Sequence, residues 1–160
     1  PNRPTKFYAA YDDSRVYFAF HCVELPGHPL QAYQTEPGSP IYFEDGVMIQ
    51  LDPARTMQGY MELRFNALGL IRTTKRGPFW DYTGLAWDPV VEHKYGKRSD
   101  GWDIEIALTV SPDMPMPAPG MAWRLTPSRV WFDADVVIIA PTRTNPDVSD
   151  PENFAMFRFE

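Results

Sequence analysis

Proline is the feature that most limits how this chain can fold, with 17 prolines among 160 residues. They are spread along the whole chain. A proline inside a helix costs about 3 kcal/mol or more, because it lacks the N–H donor and clashes with the preceding turn. Hydrophobic residues still make up 44% of the chain, which is enough for a packed core and excludes general disorder. We therefore expect a folded protein with few long helices.

The segments between the prolines alternate apolar and polar residues with a period of two, which is typical of half-buried strands. Turn residues such as Asp12–Ser14 and Ala67–Gly69 separate several of these segments. About ten short strands with turns between them predict an all-β fold, an antiparallel β-sandwich of jelly-roll type, with residues 1–160 forming one domain. The clearest apolar phases are Val16, Phe18, Phe20 and Cys22; Val47, Ile49 and Leu51; Met61, Leu63 and Phe65; and Trp102, Ile104, Ile106 and Leu108.

Charge and hydropathy exclude some classes of partner. The net charge is −6, which argues against nucleic acid or an anionic membrane surface as the main partner. No apolar run approaches the roughly 20 residues of a membrane span. The single cysteine, Cys22, cannot form an internal disulfide, and its phase with Phe18 and Phe20 predicts a buried thiol.

The strongest candidate for function is the segment from Arg76 to Trp87, where Phe79, Trp80 and Tyr82 stand among glycines and polar residues. Sugar rings present flat faces of C–H bonds that aromatic rings can cover, while neighbouring polar groups bond the hydroxyls. This segment therefore predicts a sugar-binding loop. The alternative for Trp87 is that it opens the next strand and packs in the core. Three tryptophans in phase with strand apolar residues are expected in the core: Trp102, Trp123 and Trp131.

Polar residues of the predicted strands supply a second candidate. If they line one concave sheet face, they form a groove that orients a polar ligand; the alternative is a solvated face whose ion pairs contribute little. A glycosidase pair built from Glu62 and Glu105 has no support in the sequence, so we expect no catalysis. The residues expected on this face are Glu62, Arg64, Asn66, Asp103 and Glu105, with Arg124 or Arg129.

The order and spacing of several stretches resemble the family-nine carbohydrate-binding modules. The matching stretches are Tyr11–Phe18, Glu44–Pro53, Tyr60–Asn66, Gly101–Leu108 and Gly120–Arg129. The resemblance implies a jelly-roll sandwich that binds an oligo- or polysaccharide without catalysis. It also implies a bacterial, extracellular or periplasmic protein of polysaccharide degradation, with other domains of a parent protein as partners. The family's first strand, which usually carries a Trp, has no counterpart here, as if the chain starts just after it.

Family members commonly hold structural calcium, and the resemblance makes Asp12, Asp13, Glu44 and Asp45 the candidate ligands. The best-known members clamp the end of a sugar chain between two tryptophans. This sequence departs from that pattern, because Ile138-Ile139-Ala140 precede Pro141 where the family often has a Trp, and Met48 stands where it usually has a Glu. One clamp aromatic is therefore expected to be missing.

Two other functions remain open from the sequence. One is a sandwich domain that only holds a neighbouring domain or partner. The other is a haem-binding relative with the same fold, in which Met48, Met61 or His93 would be the axial ligand.

Overall fold

The computed structural model of the chain describes residues 3–77, 85–133, 136–141 and 150–160. These residues contain no α-helix, only a short 3₁₀ turn at Pro151–Asn153, and none of their helical structure could span a membrane. The strands are β1 (Thr5–Tyr11), β2 (Arg15–Val23), β3 (Gly46–Asp52), β4 (Tyr60–Asn66), β5 (Ile71–Arg76), β6 (Leu85–Ala86), β7 (Val91–Lys97), β8 (Gly101–Thr109), β9 (Ala122–Asp133), β10 (Val136–Pro141) and β11 (Ala155–Arg158).

The strands form two antiparallel sheets. The four-stranded sheet has the order β1-β2-β8-β7, and the seven-stranded sheet has the order β10-β9-β3-β4-β5-β6, with β11 also paired to β9. The sheets pack face to face around one hydrophobic cluster, so the predicted β-sandwich is confirmed.

The inward faces of β2 and β8 follow the predicted alternation. Every second residue on each strand is at most 2% exposed, and the predicted core positions of Trp102, Trp123 and Trp131 are also confirmed. Burial raises the pKa of the Cys22 thiol to about 11, which keeps this buried thiol protonated.

The expectation of half-buried strands is wrong for β3 and β4. On β3 the side chains on both faces are buried, and on β4 only Arg64 is more than slightly exposed. One face meets the core. On the other, the strandless segment 24–45 reaches the sheet, because Asn66 donates to the Gln34 carbonyl at 2.7 Å and Arg72 donates to the Gly38 carbonyl at 3.2 Å. A second covering layer of this kind leaves no periodic trace in the strand sequence.

A network of charged side chains closes one end of the sandwich around Glu24. Arg3 Nη1 lies 2.7 Å from Glu24 Oε2 and 3.1 Å from Asp45 Oδ2. The other carboxylate oxygen of Glu24 accepts from Arg129 and, at 2.8 Å, from Trp102 Nε1. The Arg129 guanidinium also stacks 4.6 Å from the centre of the Trp102 ring. Both arginines are almost fully buried, so these partners are needed to compensate each buried positive charge.

Candidate functional site

The side of the seven-stranded sheet that faces away from the core carries eight mostly polar side chains in register, which we call the polar face. The strand register places four of them side by side across β9, β3, β4 and β5, and four more in the next row. The first row is Ser128, Met48, Arg64 and Arg72, and the second is Thr126, Gln50, Glu62 and Thr74.

The centre of the polar face is a connected polar group. Gln50 Nε2 donates to Glu62 Oε2 at 3.2 Å, and Arg64 Nε lies 3.6 Å from Glu62 Oε1. The Arg64 guanidinium also donates to the Met48 sulfur at 3.1 Å, although a thioether is only a weak acceptor. The side chains of Glu62 and Arg64 are 6% and 11% exposed, so these charges are largely withdrawn from solvent.

Two neutral polar atoms of this face, in addition to Arg64 Nε, are left without hydrogen-bond partners. Gln50 Oε1 and Ser128 Oγ make no hydrogen bond within the described part of the chain, and both residues are 1% exposed. A buried polar atom without a partner costs about 1–3 kcal/mol. Such atoms, an amide acceptor and a hydroxyl, are suited to meeting the hydroxyl groups of a ligand.

An aromatic side chain from the segment 24–45 adjoins the polar face. The Tyr42 ring centre lies 5.3 Å from the guanidinium carbon of Arg64 and 5.0 Å from that of Arg72, within cation–π range of both. The face thus combines forked donors, a carboxylate, two unpaired polar atoms and an aromatic ring. This combination can bind a small polar ligand that also has an apolar surface.

The predicted sugar-binding loop is partly outside the described residues, which exclude Phe79, Trp80 and Tyr82. Its two ends are described: Arg76 ends β5 opposite Tyr60, beside the second row of the polar face, and Leu85 pairs with Lys75.

Trp87 follows β6 and packs, partly buried, against the hydrophobic core. It contacts the core, as the alternative interpretation expects, but it lies between β6 and β7 instead of opening a strand.

The prediction that the polar strand residues share one face is wrong. Glu62, Arg64 and Asn66 point outward from β4 in the seven-stranded sheet, but Asp103 and Glu105 point outward from β8 in the four-stranded sheet. Each sheet turns its apolar side inward, so the polar sides of the two sheets face opposite directions. Glu105 instead lines a shallow groove of about 530 Å³ on the four-stranded sheet, together with Tyr8 and Lys94.

Arg129 also differs from its predicted role. It lies in phase with Trp123 and Leu125 on β9 and points inward, where it is 2% exposed and bonded to Glu24. A guanidinium in this position stabilises the interior and does not meet a surface ligand. Arg124 is on the outward side of β9, where it donates to the carbonyls of Pro151 and Glu152.

Two of the candidate calcium ligands, Glu44 and Asp45, are engaged by protein donors. Asp45 accepts hydrogen bonds from the backbone N–H groups of Gln31 and Phe132 and pairs with Arg3. Glu44 accepts from the Gln34 N–H at 3.1 Å and from the Asn66 amide at 2.8 Å. No three His, Cys, Asp or Glu side chains are grouped to hold a metal among the described residues. Bound calcium stays a prediction.

The other candidate pair, Asp12 and Asp13, forms the turn between β1 and β2. One Asp12 oxygen accepts from the N–H groups of Ser14 and Arg15 at 2.8 and 2.9 Å, and the other accepts from the Tyr17 hydroxyl at 2.6 Å. The Tyr17 hydrogen bond, helped by those of the turn, lowers the pKa of Asp12 from 3.8 to about 2. The Asp12 carboxylate is thus committed to protein donors.

This lowered pKa predicts an acid-sensitive contribution to stability. Because the folded-state pKa of Asp12 lies below its unfolded value, its charged form stabilises the fold fully above about pH 4. That contribution is lost as the pH falls towards about 2. Asp12→Asn is expected to lower the melting temperature at neutral pH, with the difference from wild type vanishing near pH 2 in thermal melts. Asp13→Asn, which removes a charge from the same turn, is the control, and an equal pH profile for both variants would refute the interpretation.

The residues named for the haem alternative are not gathered around one site in the described part of the chain. Met48 lies on the polar face, whereas Met61 belongs to the core on the opposite side of the same sheet. His93, on β7 of the other sheet, bonds through Nε2 to the Gly69 carbonyl at 2.7 Å. Met48 and Met61 are buried by their neighbours, whereas His93 also lines the groove of about 530 Å³ on the four-stranded sheet, so the haem alternative stays a prediction.

Several residues of the polar face were missed by the sequence analysis. Gln50 lies in phase with Met48 and Asp52, and Ser128 lies in phase with Arg124 and Thr126, so period two was a usable signal for both. Tyr42 had no such signal, because it belongs to a segment without regular structure that meets the sheet only in the folded protein.

Comparisons with known proteins give a match in structure and none in sequence. No family model and no curated protein sequence matches the chain. A family 9 carbohydrate-binding module from Caldicellulosiruptor kristjanssonii in complex with glucose aligns over 100% of this chain and 78% of its own, with a TM-score of 0.75 and 18% identity. The cellotriose complex of such a module from the same organism covers 100% of this chain and 76% of its own, with a TM-score of 0.73 and 17% identity.

A third structure, a Bacteroides uniformis protein assigned to carbohydrate binding by inference, aligns over 100% of this chain and 80% of its own. Its TM-score is 0.80 and its identity 11%. At these identities the likeness establishes the fold. The chain has the β-sandwich fold of the family 9 carbohydrate-binding modules, as the sequence resemblance predicted.

Proposed function

We propose that this chain is a non-catalytic carbohydrate-binding domain of a secreted bacterial protein that acts on polysaccharides. Two observations support it, one from proteins of the same fold and one from the polar face of this chain. Modules of the same fold have been solved with glucose and with cellotriose. Independently, the polar face has the donors, acceptors and aromatic ring that sugar recognition requires.

The observation that carries the proposal is the pair of buried, unpartnered atoms Gln50 Oε1 and Ser128 Oγ. They lie in adjacent rows of the polar face, on either side of the β3–β9 pairing. A sugar ring carries several hydroxyl groups, each able to donate and accept. Both atoms are covered in the unliganded fold, so a sugar would reach them where the covering segment 24–45 moves aside, and the interaction would then recover the cost of leaving them unpaired.

The proposal of binding without catalysis is supported by where two acidic residues lie. A glycosidase places two carboxyl groups on either side of one glycosidic bond, roughly 5–10 Å apart. Glu62 and Glu105 lie on the outward sides of opposite sheets, with the whole core between them. This pair cannot flank a single bond.

A glycan-array screen of the isolated chain tests the proposal directly. Binding of at least one oligosaccharide, measured again by titration calorimetry, is the expected result, and replacing Gln50 by leucine should weaken it. A domain that only holds a neighbour would bind no glycan and would show no sugar-dependent change in melting temperature. That outcome would favour the accessory-domain alternative.

Trp80→Ala is expected to weaken binding by about 1–3 kcal/mol while leaving the melting temperature almost unchanged. A loop tryptophan that covers a ligand contributes little to the core but much to a small interface. Calorimetry against the best array ligand measures the loss. Tyr8→Ala is the matched control, because Tyr8 is an exposed aromatic residue on the opposite sheet. If Trp80→Ala binds as tightly as wild type, the loop is not part of the site, and Tyr42 becomes the aromatic residue to replace.

A further inference from the structure

Resting on the proposed function, we infer that the carbohydrate bound by the polar face carries an anionic group, a uronate carboxylate or a sulfate. Arg64 and Arg72, both within cation–π distance of the Tyr42 ring, would hold this group. The inference concerns the chemical class of the ligand, and it differs from the neutral sugars seen with the modules of the same fold.

The first argument is the charge of the site. Arg64 and Arg72 are direct cross-strand partners on β4 and β5, and like charges in such a pair destabilise a sheet. Arg76 lies four residues after Arg72 on the same side of β5, in a row that also holds Asp52 on β3 and Arg124 on β9. Glu62 is the one acidic member of the polar face, while the chain as a whole has a net charge of −6. Positive charge is thus concentrated on one face of an acidic protein, as expected for a site that receives an anion.

The second argument is that the donors of Arg64 are not used up. A guanidinium has five N–H donors in a rigid fork. Within the described residues, Arg64 donates only to the weak thioether acceptor of Met48, and its Nε approaches Glu62 at 3.6 Å without forming a hydrogen bond. The other oxygen of Glu62, Oε2, accepts from Gln50, so Arg64 shares this carboxylate with the amide. Arg72 differs, because the carbonyls of Gly38 and Ser39 already accept from it.

The third argument is geometric fit. Carboxylate and sulfate groups present two oxygens at the spacing of a guanidinium fork, whereas a hydroxyl group presents a single, uncharged oxygen. The Tyr42 ring contacts both guanidinium groups and holds them beside one another. An anionic group bound at Arg64 would therefore also be attracted by Arg72, and it would relieve the repulsion between the two arginines.

The experiment compares ligands that differ only in charge. Trigalacturonate is titrated beside its fully methyl-esterified form, and a sulfated carrageenan tetrasaccharide beside its desulfated form. We expect one charged ligand to bind about tenfold or more tightly than its neutral partner. The preference should shrink as salt rises from about 50 to about 500 mM. The two ligand pairs distinguish a carboxylate from a sulfate.

Variants then assign the preference to Arg64. Arg64→Gln should abolish it, and Arg64→Lys should retain only part of it, because lysine keeps the charge without the fork. Arg158→Gln is the control. Arg158 is an exposed arginine on β11, which pairs with β9 and is separated from β5 by β9, β3 and β4 in the strand order. Thermal melts check that each variant is folded.

The outcomes separate the inference from the function on which it rests. Equal affinity for the charged and neutral forms, or a preference that Arg64→Gln leaves intact, would overturn the anionic ligand while the carbohydrate-binding proposal stands. Failure of every glycan on a broad neutral and acidic array to bind would overturn both.

Discussion

Replacing Trp102 with alanine is expected to lower the free energy of unfolding by about 3–5 kcal/mol. The Trp102 ring is 1% exposed and lies in the core between the sheets, beside Tyr95 and beneath the Arg129 guanidinium. Alanine would leave a cavity and would also remove the Nε1 donor to Glu24. Since a domain of this kind is stabilised by only about 5–15 kcal/mol, the loss is a large share of the total. Urea denaturation followed by tryptophan fluorescence and circular dichroism measures it.

The control for Trp102 is Met156→Ala, which truncates a large side chain that is 53% exposed on β11. Its effect should remain within about 0.5 kcal/mol. A change of less than about 1 kcal/mol for Trp102→Ala would contradict the placement of this ring in the core.

Glu24→Gln is the second substitution with a large expected effect, again a loss of about 3–5 kcal/mol in the free energy of unfolding. The substitution keeps the shape of the side chain but removes the charge that balances Arg3 and Arg129, each with a side chain 2% exposed. Arg3 retains Asp45 as a partner, whereas Arg129 has no other ion pair among the described residues. Most of the lost stability should therefore come from the Arg129 guanidinium, which stays buried without a compensating negative charge.

The matched control is Glu92→Gln, which removes the same charge from an exposed ion pair. Glu92 lies 2.8 Å from Arg15, and its side chain is 66% exposed. Exposed pairs contribute at most about 1 kcal/mol, so the two variants should differ clearly in urea denaturation. Equal losses for Glu24→Gln and Glu92→Gln would show that the network around Glu24 does not stabilise the interior.

The sequence predicts those parts of the fold that depend on one strand at a time. Alternation along β2 and β8 identified the inward side chains from Val16 to Cys22 and from Trp102 to Leu108, because each strand has one face on the core and one face away from it. The fold class follows from the number of such strands and from the prolines between them.

The sequence predicts much less of the candidate site, because alternation does not say which sheet a strand joins. Glu105 and Arg64 are both outward-facing polar residues, yet they lie on opposite sides of the molecule. The network around Glu24 joins Arg3, Asp45 and Arg129, whose positions along the chain follow no common pattern. Only the phase of Arg129 with Trp123 and Leu125 indicated beforehand that it points inward.

The strand order has a consequence for how the protein reaches its fold. In the four-stranded sheet β2 pairs with β8, joining Arg15 to Thr109, and in the seven-stranded sheet β3 pairs with β9, joining Gly46 to Val130. Both sheets thus depend at their centres on contacts between distant parts of the chain, and closing such long loops slows folding. During synthesis, neither sheet can be completed until β8 and β9 have left the ribosome. Until then, the apolar side chains of the first half of the chain stay exposed. We therefore expect the need for chaperones to be greatest at this stage of synthesis.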